Sequence, residues 1–74
     1  MTRTKEPKLL DLIAVTNNDA DPDVEAGDVG TVVELLQPDG IEVEFLNRDG
    51  HTRCLVTLSF ADVLVLNREP TKVA

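Results

Sequence analysis

Ile41 to Leu46 alternates apolar and acidic residues, with Ile41, Val43 and Phe45 on one side and Glu42 and Glu44 on the other. That is the period of a strand with one face buried and one in water. Asn47-Arg48-Asp49-Gly50 follows, and its Asp-Gly pair favours a hairpin turn. Thr52 to Leu58 supplies the returning strand. If Asp49-Gly50 is a two-residue loop, Arg48 faces His51, Phe45 faces Cys54, Val43 faces Val56 and Ile41 faces Leu58. A slip by one residue would set Phe45 against Arg53, so the apolar pattern selects this register. The same register turns Glu42, Glu44, Leu46, Arg53, Leu55 and Thr57 outward.

The rest of the chain is punctuated in the same way. Leu9 to Val15 reads as a first strand, and Val29 to Leu36 as a second. Gln37-Pro38-Asp39-Gly40 reads as the turn into the third. Val63 to Leu66 reads as a fifth strand, after Ser59 to Asp62, which suits a single 3-10 turn. No stretch carries a sustained apolar stripe at helical spacing. These elements predict an all-β chain, a small SH3-like barrel of about five strands with a 3-10 turn before the last. Residues 1–7 read as a flexible arm, 8–67 as the barrel and 68–74 as a flexible tail. With 74 residues there is room for one lean core, and a single cysteine excludes an internal disulfide framework. The free thiol, the charged N-terminus and the lack of an apolar spanning segment point to a cytoplasmic protein without a membrane partner.

Fourteen acids against seven bases leave a net charge of −7, which disfavours a nucleic-acid partner. Asp19, Asp21, Asp23, Glu25 and Asp28 fall in the loop between the first two strands. On an EF-hand pattern Asp19, Asp21 and Asp23 fit the first three ligand positions, but Val24 replaces the required glycine and Gly30 the bidentate glutamate. The loop therefore reads first as solvated, and second as a weak cation site or a contact for a basic partner. Neither a cofactor nor a metal is expected. Gly27 suits a tight turn and Gly30 a sharp bend or close backbone approach, because a strand and not a helix follows them. Cys54 points inward beside Phe45 in the hairpin register while His51 sits out by the turn, so no catalytic dyad forms and no enzyme is expected. Phe45 and Phe60 alone cannot line an aromatic groove for proline-rich peptides. The outward face of the third and fourth strands reads either as an ordinary solvated surface or as an acidic partner surface with an apolar centre.

Gly27-Asp28-Val29-Gly30-Thr31-Val32-Val33 resembles the KOW-type segment of translation and transcription proteins, an SH3-like barrel element that often meets RNA. Leu9 to Val15, Ala26 to Glu34, Glu42-Val43-Glu44-Phe45 and Leu55-Val56-Thr57-Leu58 together resemble a family of short bacterial proteins, cyanobacterial ones included, whose domain is catalogued as one of unknown function. The resemblance covers about Leu9 to Leu66. Some members stand beside genes that resemble toxins, which implies an antitoxin or immunity role. A looser similarity is to the small SH3-like subunit of the photosynthetic NADH dehydrogenase-like complex, whose ferredoxin docking needs a basic surface that this acidic chain lacks.

The expectation is a small acidic protein-binding module, antitoxin-like or accessory, that takes a basic protein partner. Its candidate residues are Glu42, Glu44, Leu46, Arg53 and Leu55, with Asp19, Asp21, Asp23 and Glu25 adding long-range attraction. The alternatives are a KOW-like nucleic-acid module and an acidic nucleic-acid mimic; a homo-oligomer fits the sequence as well.

Overall fold

The computed structural model describes residues 6–66. Its elements are β1 (Leu12–Val15), β2 (Val29–Leu36), β3 (Gly40–Leu46), β4 (Thr52–Ser59), a 3-10 turn (Phe60–Asp62) and β5 (Val63–Val65). They form one antiparallel sheet in the order β4-β3-β2-β1-β5. The class, the strand count and the 3-10 turn are those expected from sequence. The expected arm and tail lie outside the described residues, except for Glu6 and Pro7; Pro7 is buried.

A short connection decides the shape of the sheet. Three residues separate the two outermost strands, β4 and β5. From Ser59 to Val63 the backbone reaches at most about 14 Å, whereas the edges of a flat five-stranded sheet stand roughly 19 Å apart. The sheet must therefore curl. Ser59 stabilises the corner by accepting a hydrogen bond from the Ala61 amide, and Phe60 N donates to the Asp39 carbonyl at 2.8 Å. Among the described residues no ladder joins β4 to β5, so the barrel stays open. Inside the curl lie Ile13, Val15, Val24, Val32, Ile41, Val43, Phe45, Val56, Leu58 and Val63, with Cys54 and Phe60 packed against them.

The hairpin pairs Phe45 with Cys54, Val43 with Val56 and Ile41 with Leu58, as the apolar pattern requires. Its loop differs from the expected two residues. Gly50 is left-handed at φ 90° while Asp49 is not, so the turn is not the two-residue kind that needs positive φ at both positions. Instead Gly50 N donates to Asn47 O at 2.9 Å, Asn47 N donates to His51 O at 2.7 Å, and the loop holds Arg48, Asp49 and Gly50. Leu46 then faces Thr52, and Arg53 is left over as a bulge.

β1 also starts later than expected. Lys8 N donates to the Asp11 carboxylate at 2.9 Å and Asp11 N to Lys8 O at 3.1 Å, closing a turn over Leu9 and Leu10. Leu10 N and Asp11 O both bond Val32, and Leu10 sits at φ 71° with its side chain in water. Glycine 30 faces the opposite constraint. A Cβ there would lie 2.6 Å from Val43 Cγ1, 2.8 Å from Glu44 O and 2.9 Å from Phe45 Cδ1, which is the close approach its sequence position suggested.

These two sites predict opposite effects. Gly30→Ala should destabilise by about 1–3 kcal/mol through overpacking. Leu10→Gly should stabilise by about 0.5–1 kcal/mol by relieving a left-handed leucine. Thermal unfolding of both variants checks this, and an unchanged midpoint for Gly30→Ala would contradict the packing.

Candidate functional site

The loop from Thr16 to Asp28 is built by its own polar side chains. Three turns follow one another, closed by Ala20 N to Asn17 O, Val24 N to Asp21 O and Asp28 N to Glu25 O. Asn17 caps the first by accepting from Asp19 N, Asp21 caps the second by accepting from Asp23 N, and Asp28 closes the third by accepting from Glu25 N. Short acidic and amide side chains suit such positions because they replace a backbone acceptor. Val24 pins the loop to the core and is buried. Among the described residues no group of three or more His, Cys, Asp or Glu side chains is gathered to hold a metal ion.

Arg53 joins this loop to the hairpin. In an unbroken strand it would share the outer face of Glu44 and Leu55, as expected from sequence. The bulge instead puts Arg53 and Cys54 together opposite Phe45. The Arg53 guanidinium lies 5.7 Å from the Phe45 ring centroid, donates to Asp23 O at 3.1 Å and stands 3.5 Å from the Asp28 carboxylate. One cation thus holds the end of the acidic loop over an aromatic ring.

Between loop and hairpin lies a cavity of about 490 Å³. Pro22, Asp23, Glu25 and Asp28 line its loop side, and Val29, Phe45, Leu46 and Arg53 its sheet side. The expected site residues therefore divide. Asp23, Glu25, Leu46 and Arg53 meet here. Glu42, Glu44 and Leu55 remain on the outer face of β3 and β4, where Glu44 pairs with Leu55 and Glu42 with Thr57. Thr57 donates to Glu42 at 2.8 Å and Thr52 donates to Glu44, so both carboxylates are held in place. Glu34 lies directly opposite Glu42. Asp19 and Asp21 sit in the first half of the loop and do not line the cavity. Sequence reasoning missed Asp28, Val29 and Phe45 as cavity residues; the signal available was Gly50, which fits a three-residue loop with a bulge as well as a two-residue one.

The strand order and the 3-10 turn define a small, open, all-β protein with an acidic loop folded over one end of its sheet. The chain belongs to the family described as domain of unknown function DUF4926, which matches residues 9–65. No curated protein and no solved structure matches it significantly. Among the described residues no helix is long and apolar enough to cross a membrane.

Arg53→Met keeps the stem over Phe45 but removes the charge. The partly exposed ion pair and one charged hydrogen bond together contribute about 1 kcal/mol. The variant should lose that much stability, and the amides from Val24 to Asp28 should exchange faster with solvent deuterium. Unchanged protection of those amides would contradict the clasp.

Proposed function

We propose that this protein is a small acidic protein-binding module, antitoxin- or immunity-like or accessory in role, whose loop–hairpin cavity receives a basic side chain of a protein partner. It acts by binding and not by catalysis. The observation that carries this reading is the cavity that unites Asp23 and Glu25 with Val29, Phe45 and Leu46. A lysine or arginine side chain has the matching form, an apolar stem ending in a cation. Val29 and Leu46, each about half exposed, flank the stem, and Asp23 and Glu25, both exposed, offer carboxylates to the cation. Asp28 is already engaged by Arg53, and Arg53 fixes the width of the cavity by tying the loop down. The net charge of −7 adds attraction at long range for a basic partner.

A KOW-like nucleic-acid role has less support. The cations of the described residues are Lys8 at the first turn, Arg48 at the hairpin tip and Arg53, which is engaged by the acidic loop. They form no track along which a phosphate backbone could lie.

Titration of isotope-labelled protein with a short lysine- and arginine-rich peptide tests the proposal. Shift changes should centre on Asp23, Glu25, Val29 and Leu46, and binding should weaken as salt rises. Glu25→Lys and Leu46→Asp should each weaken binding by about tenfold or more, equivalent to roughly 1.4 kcal/mol. Binding that neither substitution alters would exclude the cavity as the receptor.

A further inference from the structure

Asp-Gly occurs twice in the chain, at Asp39-Gly40 and at Asp49-Gly50, each at the connection between two paired strands. Glycine puts no side chain beside its peptide nitrogen, so that nitrogen can close on the carboxyl carbon of the aspartate before it. The fold holds the two pairs differently. Gly40 belongs to β3 and faces Leu36 on one side and Ser59 on the other, while Asp39 O accepts from Phe60 N at 2.8 Å. Turning the Asp39–Gly40 peptide toward its own side chain would disturb both ladders and the corner that joins β4 to β5.

Among the described residues, the bonds of Asp49 and Gly50 run only to Asn47 and His51 of the same loop. The side chain of Asp49 is 65% exposed and that of His51 83%. His51 N donates to Asp49 Oδ1 at 3.1 Å. The ring which this bond closes contains both Asp49 Cγ and Gly50 N, the two atoms that must join. His51 Nδ1 lies 3.2 Å from Asp49 Oδ2, so both oxygens are held with the carboxyl turned along the chain toward Gly50 and His51. To react, Gly50 N must leave Asn47 O, 2.9 Å away, and an exposed loop tip opens at little cost.

We propose that Asp49 is a self-modification site that isomerises to isoaspartate, and that the change releases the Arg53 clasp. Gly50 N attacks Cγ of the protonated carboxyl. The new C–N bond forms as a Cγ–O bond breaks, and the amide proton leaves with the hydroxyl as water. Water then adds to the main-chain carbonyl of the resulting succinimide and breaks its bond to Gly50 N, so the chain runs on through Cβ and Cγ. One water is lost and one regained, and the residue keeps a single carboxylate. The backbone, however, is longer by one methylene, about 1.5 Å. The bonds Asn47 N to His51 O and Gly50 N to Asn47 O fix the span of the loop, and that span leaves Arg53 over as a bulge. A longer loop breaks the span, and with it the placement of Arg53 at Asp23, Asp28 and Phe45.

Storage of the full chain for weeks at neutral pH in isotopically heavy water, followed by peptide mapping with electron-transfer fragmentation, tests this. Asp49 should convert to isoaspartate carrying at least one solvent oxygen, while Asp39 remains aspartate. In urea both pairs should convert, because only the fold protects Asp39. The separated isoaspartate form should lose the ring-current shift of its Arg53 protons, and its amides from Val24 to Asp28 should exchange faster. Unconverted Asp49 in the folded chain, equal conversion of Asp39 and Asp49 there, or an Asp39 that resists in urea as well would overturn the proposal. So would an isoaspartate form in which Arg53 is unmoved. None of these readouts involves a partner, so the outcome stands apart from the binding of basic peptides.

Discussion

The contact on which both core and cavity depend is the Phe45 ring. From below, the close approach of Gly30 lets β2 and β3 pack without a side chain between them. From above, the Arg53 guanidinium covers the ring and reaches the loop at Asp23 and Asp28. The ring is almost wholly buried, so it serves as the floor on which the loop is held. Without Gly30 the ring would be displaced, and without Arg53 the loop would lose its tie to the sheet.

Much of this was legible in the sequence because one physical rule, alternation, governs a strand with one buried face. Ile41, Val43 and Phe45 could face only Leu58, Val56 and Cys54, and they do. For Gly30 the sequence allows a sharp bend or a close backbone approach, and the structure shows the close approach. The error lay where alternation stops. Asp49-Gly50 is compatible with two loop lengths, and the φ of Asp49 and the hydrogen bond from Asn47 N to His51 O distinguish them. The longer loop adds one residue to β4, and that residue is Arg53. A single bulge thus carried the cation from the outer face to the inner one and split the expected site in two. Leu9-Leu10-Asp11 was hidden for a related reason: its composition suits a strand, but the Asp11 side chain closes a turn instead.

The acidic loop illustrates how charge can be read too directly. Its carboxylates invite a cation, yet Asp21 and Asp28 accept backbone N–H groups within the loop, and Asp28 also faces Arg53. The aspartates are there in part because turns need short acceptors. Asp23 and Glu25 are left at the rim of the cavity. Charge is thus concentrated at the loop and where Glu34 of β2 meets Glu42 of β3.

The placement of Arg53 is the central claim, and proton NMR of the folded chain tests it directly. Arg53 side-chain protons above the Phe45 ring should be shifted upfield and should show nuclear Overhauser contacts to Asp23 and Asp28. Phe45→Leu should abolish the upfield shift. Contacts from Arg53 to Glu44 and Leu55 instead, with no ring-current shift, would mean an unbulged β4, and the cavity as described would not exist.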